Sequence, residues 1–256
     1  MGTFINAEHN QELKKRYQQS GKRLILLDYD GTLTPIVPLP EMAEPSREIL
    51  DLLNTLSADN RNTVYIISGR DRDTLQQWLG AVPLNLIAEH GAWLKTDVGG
   101  WLVNGSLKTN WMEPVNALFQ EFVDQCPGSF IETKSFSLAW HYRNAEQSQG
   151  AILATQILEQ LAQKARSLNI DVIDGNKVIE VKNRGISKGE AIKPLLKKDF
   201  DFILACGDDT TDEDMFRELK DSEKAITVKI GTQPSEAAFR VENTETLLSL
   251  LVGLFN

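Results

Sequence analysis

Carboxylates follow two apolar runs that the sequence pattern predicts to be strands. The runs are Leu24–Leu27 and Phe202–Cys206, and the acidic residues after them are Asp28, Asp30, Asp208, Asp209 and Asp212. In an open parallel sheet, the carboxyl ends of the strands form the edge at which ligands bind. Several carboxylates at one edge repel each other unless a cation lies among them, and oxygen-only ligands favour a hard ion such as Mg²⁺. The spacing therefore predicts a magnesium site.

A hydroxyl and an ammonium group add to this set. Ser68 follows the apolar run Val64–Ile67, and Lys188 begins a predicted helix. A carboxylate that faces a phosphate group can attack phosphorus, and a second carboxylate can give a proton to the leaving oxygen and then take one from water. The hydroxyl and the ammonium can hold the phosphoryl oxygens as charge develops. Each residue alone is most simply a turn, a cap or a solvated charge, but the ordered set predicts phosphoryl transfer.

Four segments together resemble the motifs of the haloacid dehalogenase superfamily of phosphatases. They are Asp28–Thr32, Ser68, Lys188 and Gly207–Asp212. The resemblance implies that Asp28 is the nucleophile and Asp30 the general acid and base. It also implies that Ser68 and Lys188 hold the phosphoryl group during its transfer.

The same resemblance implies a particular arrangement around Mg²⁺. Asp208 is expected to bind the ion together with Asp28 and the backbone carbonyl of Asp30. Asp209 and Asp212 are expected to support the metal or to orient the lysine. All five aspartates are therefore candidates for the metal site.

Longer stretches resemble the trehalose-6-phosphate phosphatase family within that superfamily. They are Leu26–Pro35, Ile67–Arg70, Ala88–Gly91, His141–Arg143, Glu180–Val181, Gly185–Gly189 and Gly207–Glu213, and the similarity spans roughly residues 22–252. The resemblance implies that the substrate is trehalose 6-phosphate. It makes Arg70 and His90 candidate substrate contacts, although Glu89–Gly91 can equally build the connection between two domains.

Strands and helices alternate through most of the chain, which predicts an α/β fold with a doubly wound, Rossmann-like parallel sheet. The middle breaks this alternation, because its order is helix, strand, strand, helix, strand, strand. We therefore expect a core domain of residues 1–107 and 184–256 and an inserted α+β domain of residues 108–183. By resemblance, the insert is the mobile cap that selects the substrate.

The inserted domain carries acidic and basic residues on its predicted strands. Glu132 and Lys134 are two positions apart and should share one strand face, and His141 and Arg143 should do likewise. Such mixed groups can bind sugar hydroxyls, and His141 is a candidate on that ground. By resemblance, Glu132, Lys134, Arg143 and Glu180 contact the disaccharide. The alternative is a solvated strand face with cross-strand ion pairs.

The composition limits the other partners. The 256 residues carry a formal net charge of −9, which argues against binding to nucleic acid or to an anionic membrane. No apolar stretch is long enough to span a bilayer, and the N-terminus lacks a secretory signal pattern. Two cysteines, without the spacing of metal ligands, fit a reducing compartment. We expect a cytoplasmic monomer that binds a small sugar phosphate.

Two further points concern partners and alternatives. Many members of the family are fused behind a glycosyltransferase, so the protein is expected to work beside or fused to a trehalose-6-phosphate synthase. Another substrate, such as sucrose phosphate, mannosyl-phosphoglycerate or a hexose phosphate, fits the same cap type. A non-catalytic regulatory module is the other alternative, but the presence of Asp28, Asp30, Lys188 and Asp208 argues against it.

Overall fold

The computed structural model describes residues 2–105 and 107–255. Its strands, numbered along the chain, are β1 (Thr3–Phe4), β2 (Arg23–Leu27), β3 (Asn62–Ile67), β4 (Asn85–Ala88), β5 (Trp93–Lys95), β6 (Trp101–Val103), β7 (Phe130–Thr133), β8 (Ser137–His141), β9 (Ile170–Gly175), β10 (Val178–Asn183), β11 (Phe202–Gly207), β12 (Ala225–Ile230) and β13 (Phe239–Val241). Its α-helices are α1 (Ala7–Gln19), α2 (Arg47–Ala58), α3 (Arg72–Leu79), α4 (Met112–Gln125), α5 (Gln147–Leu168), α6 (Lys188–Leu196), α7 (Asp212–Leu219) and α8 (Thr244–Phe255).

The chain divides into two compact units. Unit 1 comprises Met1–Asn104 and Ser187–Asn256, and unit 2 comprises Gly105–Ile186. The insert expected at 108–183 lies within unit 2. Among the described residues, no helix combines the length and the apolar character that a membrane span requires.

Unit 1 is built on one sheet with the strand order β1-β13-β12-β11-β2-β3-β4-β5-β6. The strands from β1 to β4 in this order are parallel, and β5 and β6 continue the sheet in antiparallel fashion. The central strands β2 and β11 are buried along their whole length, because helices cover both faces. The doubly wound parallel sheet expected from the sequence is therefore confirmed.

The two faces of this sheet have separate cores. On one face, Ile25 and Leu27 of β2 pack in a cluster with residues of α1, α2, α3 and α8. On the other face, Leu24 and Leu26 pack with residues of α6 and α7. This alternation follows from the period of two along a strand, which leaves the strand ends as the place where polar side chains can gather.

The N-terminal residues are part of unit 1. Asn6 caps α1, whose buried Leu13 and Tyr17 face the core, and β1 adds a short parallel strand beside β13. The sequence left open whether this segment is a helix or a tail, and the structure shows a helix.

Unit 2 is an α+β unit with an antiparallel sheet in the order β7-β8-β10-β9. One face of the sheet is apolar, and its buried Trp140 and Ile179 pack in a core with residues of α4 and α5. Leu138 and Val181 lie on the same face, as their pairing and the two-residue period require. The opposite face bears Glu132, His141 and Glu180, as the same pairing requires.

Candidate active site

Asp28 and Asp30 lie just beyond the carboxyl end of β2. The amide of Asp28 donates to the carbonyl of Cys206, 3.0 Å away, which joins this turn to the end of β11. Between the two aspartates, the buried Tyr29 ring points into the core and its hydroxyl donates to the carbonyl of Ala43 at 2.6 Å. Tyr29 therefore fixes the turn, while Asp28 is buried and Asp30 remains partly accessible.

Gly31 permits the turn that follows. Its φ of +81° is in the left-handed region, and a Cβ atom on it would collide with the carboxylate of Asp208. The carbonyl of Gly31 accepts a hydrogen bond from the Thr244 hydroxyl at 3.1 Å. The segment Asp28–Thr32 thus packs directly against the acidic loop that follows β11.

Lys188 lies at the centre of the buried charges. It is the first residue of α6, which Ser187 caps, and its Nζ lies 2.6 Å from Asp28 Oδ1 and 2.7 Å from Asp212 Oδ1. Burial alone would lower the pKa of Lys188, but the charges of Asp212 and Asp28 raise that pKa well above its usual range. The lysine is therefore a fixed positive charge beside Asp28.

The acidic loop after β11 is organised by Asp212. Asp212 Oδ2 accepts the backbone amides of Asp208 and Asp209 at 2.9 Å and 3.1 Å. The side chain of Asp209 accepts from the amide and hydroxyl of Thr211 at 2.8 Å and 2.7 Å, so it fixes the turn that precedes α7. Both residues thus shape the loop that presents Asp208.

Three carboxylates could hold a metal ion. Asp28, Asp208 and Asp212 each offer an oxygen, and these oxygens lie within 4.8 Å of one another. Burial raises the pKa of all three carboxyls, and repulsion from neighbouring acidic groups adds to that shift. A hard divalent cation would relieve this cost, so the donor set fits such an ion. The side chains of Asp30 and Asp209 are engaged elsewhere and lie outside the triad.

Ser68 and Arg70 lie at the end of the neighbouring strand β3. The buried Ser68 Oγ accepts the amide of Arg70 at 3.1 Å. The Arg70 guanidinium binds Asp30 through two hydrogen bonds, with Nε 2.8 Å from Oδ2 and Nη2 2.6 Å from Oδ1. Ser68 and Arg70, both predicted site residues, therefore lie together. Arg70 binds Asp30, the residue predicted to be the general acid and base.

His90 lies against the same turn. The backbone of Glu89, His90 and Gly91 is in the left-handed region throughout, with φ values of 48°, 55° and 120°. The His90 amide donates to the carbonyl of Ser68 at 3.0 Å, and a Cβ atom on Gly69 would lie only 2.5 Å from the His90 ring. The histidine therefore packs against Ser68 and Gly69.

Sequence reasoning missed Lys229. This buried residue of β12 donates from Nζ to the carbonyl of Asp208 at 2.5 Å and lies 3.5 Å from Glu213 Oε1. It thereby binds the backbone of the acidic loop that follows β11. The signal was present, since Lys229 is a single cation within the apolar run Ile226–Ile230.

The sheet face of unit 2 opposite its apolar core, here called the open face, carries four of the five predicted sugar contacts. Glu132 lies 2.8 Å from His141 Nε2 and 3.4 Å from Lys134 Nζ. Glu132 and Glu180 both pair with Ala139, one from each side, so a small residue separates two carboxylates on adjacent strands. The hydrogen bond from His141 lowers the pKa of Glu132 to about 2, with Lys134 contributing further and burial opposing.

Arg143 is placed differently from the expectation. It lies beyond the end of β8, is exposed, and donates from Nη2 to the carbonyl of Asn176 at 3.1 Å. The expectation that His141 and Arg143 share a strand face is therefore wrong, because the strand ends at His141.

Known structures share this fold. A haloacid dehalogenase-like hydrolase from Bacteroides thetaiotaomicron has the same fold, with a TM-score of 0.68 and 14% identity over 91% of this chain and 98% of that one. The C-terminal domain of a trehalose-6-phosphate phosphatase from C. albicans aligns with a TM-score of 0.87 and 32% identity, over 99% of this chain and 98% of that one.

The family model described as trehalose-phosphatase matches residues 26–245. A trehalose-phosphatase from Saccharomyces cerevisiae is 40% identical over 249 residues, which are 88% of this chain and 28% of that protein. A bifunctional trehalose-6-phosphate synthase/phosphatase from Thermoproteus tenax is 41% identical over 244 residues, which are 95% of this chain and 33% of that protein. The chain belongs to the trehalose-phosphatase family, which confirms the resemblance found in the sequence, and it spans about a third of the length of these curated relatives.

Proposed function

We propose that this chain hydrolyses trehalose 6-phosphate to trehalose and phosphate through an aspartyl-phosphate on Asp28, with Mg²⁺. One observation carries the proposal: the buried Asp28 carboxylate lies at a strand end, 2.6 Å from the Lys188 ammonium and grouped with Asp208. The cation favours the ionised form of the carboxylate, which is the form that attacks phosphorus. Membership of the family supports the substrate.

The reaction needs two proton transfers. An oxygen of Asp28 attacks phosphorus, the ester P–O bond breaks, and its electron pair leaves with the sugar oxygen, which takes a proton from Asp30. Water then attacks the same phosphorus and gives a proton to Asp30, while the electron pair of the P–O bond to Asp28 returns to the carboxylate. Asp30 therefore alternates between acid and base, and the enzyme ends as it began.

The neighbouring residues stabilise charge during both steps. Lys188 and Ser68 are proposed to bind the phosphoryl oxygens, and Asp212 keeps Lys188 in place through the 2.7 Å contact. We assign the metal to Asp28, Asp208 and the backbone carbonyl of Asp30, with Asp209 and Asp212 shaping the loop. Bound Mg²⁺ supplies positive charge at the phosphoryl oxygens and offsets the repulsion among the carboxylates.

Unit 2 is proposed to be the cap that selects the sugar. We propose residues 108–183 as the cap domain and residues 1–107 and 184–256 as the core domain. The open face of unit 2 presents Glu132, Lys134, His141 and Glu180, whose mixed charges can bind hydroxyl groups. Arg143, at the end of the same sheet, is proposed as a further contact, and in unit 1 Arg70 and His90 are candidates from their place beside Ser68.

The partner and the compartment are proposed on separate observations. Several relatives carry names that include a trehalose-phosphate synthase, so we propose that the chain works beside or fused to such an enzyme. Both cysteines, Cys126 and Cys206, are buried and free, which fits a reducing compartment such as the cytoplasm. A monomer is proposed as well, and sedimentation analysis would test it.

The decisive experiment is a phosphate-release assay. Trehalose 6-phosphate is compared with sucrose phosphate, mannosyl-phosphoglycerate and hexose phosphates, each with Mg²⁺ and with a chelator. We expect the highest kcat/KM for trehalose 6-phosphate and no turnover with the chelator. A different preferred sugar phosphate would overturn the substrate, and no turnover of any ester would overturn the activity.

A further inference from the structure

We propose that the exposed ring of Phe130 is a substrate-binding residue that packs against the C–H face of one sugar ring of the disaccharide. The proposal rests on the function above and deepens it, because it names a specificity-determining residue for that reaction. No motif named from the sequence includes Phe130. The observation behind it is a large aromatic residue that is 50% exposed on the open face of unit 2.

Phe130 begins a row of candidate sugar contacts along the edge of the unit 2 sheet. It is the first residue of β7, which is the edge strand beside β8. Because side chains alternate between the two faces of a strand, Phe130 and Glu132 share the open face. Lys134 follows β7 directly, and its Nζ lies 3.4 Å from Glu132 Oε1. Four residues of extended chain cover about 13 Å, so the row is long enough for two sugar rings.

The inner face of the Phe130 ring is fixed by His141. The two residues are paired directly across β7 and β8, their ring centroids lie 4.8 Å apart, and the ring planes differ by 15°. His141 Nε2 lies 2.8 Å from Glu132 Oε2, and a Glu132 pKa of about 2 makes that oxygen an acceptor, so Nε2 donates. The hydrogen bond therefore sets the imidazole plane, and the imidazole sets the plane of the phenyl ring.

The outer face of the Phe130 ring is the one that a ligand can reach. Because His141 of β8 covers the inner face and β7 is the edge strand, the outer face is directed beyond the edge of the sheet. A pyranose ring carries C–H bonds on its faces and hydroxyls around its rim. It can therefore bury one face on a flat apolar ring while charged groups bind the rim.

The surroundings distinguish Phe130 from an ordinary exposed apolar residue. Single apolar side chains are common on protein surfaces and need no function. This one is held in a fixed orientation by His141 and lies on the same strand face as Glu132, within one row of hydroxyl-binding groups. An apolar face beside such groups is the combination that a sugar ring requires.

Loss of the ring should weaken the binding of the disaccharide. In an Asp28→Asn background, which should bind the ester without hydrolysing it, Phe130→Thr should raise the Kd for trehalose 6-phosphate about five- to fiftyfold, because the ring no longer shields apolar surface from water. In the otherwise wild-type chain, the KM for this ester should rise similarly. The kcat/KM for p-nitrophenyl phosphate should fall far less, because that ester has no sugar ring. Threonine suits an exposed edge strand, so the fold should survive.

The test combines calorimetric titration with trehalose 6-phosphate and steady-state assays of both esters. An unchanged Kd and KM for trehalose 6-phosphate would overturn the proposal. Equal losses of kcat/KM on the two esters would also overturn it, since they would show that Phe130 supports the fold. If the wild-type protein turns over no phosphate ester at all, the proposed function itself fails, which is a different outcome.

Three further variants make the test specific. Phe130→Tyr keeps a flat ring and should restore most of the affinity, whereas Phe130→Leu keeps apolar volume without a flat ring and should bind less tightly than wild type. Ile152→Ala is the matched control and should retain the wild-type Kd. Ile152 is 61% exposed in unit 2, but it lies on α5, which packs against the apolar face of the sheet. If Phe130→Thr fails to fold, Phe130→Leu decides, and a wild-type Kd in it overturns the proposal.

A double substitution separates direct contact from an indirect effect through His141. In a His141→Ala background, Phe130→Thr should still raise the Kd for trehalose 6-phosphate, because the ring itself touches the sugar. Disappearance of the effect in that background would show that Phe130 acts only by holding the imidazole, and this would overturn the proposal.

Discussion

Asp212 binds Lys188 and the acidic loop with opposite oxygens of one carboxylate. Oδ1 lies 2.7 Å from Lys188 Nζ, while Oδ2 accepts the amides of Asp208 and Asp209. Because Asp212 is completely buried, neither contact can be replaced by water without a large rearrangement. Two of the four motifs are thus held in register by a residue that need not touch the substrate.

Replacing the nucleophile should abolish turnover. Asp28→Asn keeps the shape of the side chain but cannot attack phosphorus, so we expect kcat to fall by at least about ten-thousandfold. Lys188 keeps its contact with Asp212, and the fold should survive. Phosphate release and circular dichroism measure the two effects. Asp51→Asn, on the exposed surface of α2, is the control, and substantial turnover by folded Asp28→Asn would refute the covalent route.

Activity should depend on a divalent cation. Burial raises the pKa of Asp28, Asp208 and Asp212, and repulsion from neighbouring acidic groups adds to that shift, so a cation among them would be stabilising. We expect no turnover in excess EDTA, recovery with Mg²⁺, and inhibition by Ca²⁺, whose larger and looser coordination misplaces the nucleophile. Mg²⁺ should also raise the Tm of the wild type, but not that of Asp208→Asn. Full turnover in EDTA contradicts the assignment.

Substitutions in unit 2 should lower the turnover of the disaccharide more than that of a small substrate. Glu132→Ala or Glu180→Ala removes a charge-assisted hydrogen bond, which contributes about 1.5–3 kcal/mol, so kcat/KM for trehalose 6-phosphate should fall roughly ten- to a hundredfold. Turnover of p-nitrophenyl phosphate should change little. Asp174→Ala is the control, since Asp174 pairs with Ile179 on the opposite sheet face. Equal losses on both substrates would mean that these glutamates support the fold.

Lys229→Met should destabilise unit 1. Methionine fills a similar volume, but the carbonyl of Asp208 loses a charged donor at 2.5 Å and Glu213 loses the cation of its ion pair. The free energy of unfolding should fall by about 1.5–3 kcal/mol, as measured by urea denaturation. Lys220→Met serves as the control, because Lys220 and Glu236 form an exposed pair whose contribution should be small. Equal stability of the two variants would exclude a structural role for Lys229.

The stability of unit 2 should depend on pH through Glu132. Its pKa falls from 4.5 to about 2 in the folded state, chiefly because of the hydrogen bond from His141. A lowered pKa stabilises the fold above the unfolded pKa, and that stabilisation is lost as the pH falls from about 4.5 towards about 2. The difference in urea midpoint between wild type and Glu132→Gln should therefore be largest near neutral pH and shrink in acid. The effect is modest, since the side chain is 42% exposed. A difference independent of pH would contradict this origin.

The position of the core site could be predicted because it depends on few rules. The apolar runs of β2, β3 and β11 are buried central strands, and their carboxyl ends share one sheet edge, so Asp28, Ser68 and Asp208 had to gather there. The glycine after Asp30 indicated a tight turn, which its φ of +81° bears out. Local pattern and sheet geometry were sufficient for these residues.

Side-chain partners could not be predicted in the same way. Arg70 contacts both Asp30 and, at 4.5 Å, the ring of Trp78, which belongs to a separate helix. Arg143 falls outside the strand because β8 ends two residues earlier, and strand ends are not marked by the pattern of burial. The antiparallel strands β5 and β6 are three residues each, too short for a periodic signal.

The pairing of β1 with β13 has a practical consequence for recombinant protein. A chain that begins at residue 21 would lack β1 and α1, so the backbone of β13 would become an open edge with unpaired N–H and C=O groups. The apolar side of α8 that packs against α1 would also be uncovered. Unprotected edges and apolar surfaces of this kind promote self-association into aggregates. Truncation of this segment would therefore reduce the yield of soluble protein even though no residue of the candidate active site lies within it.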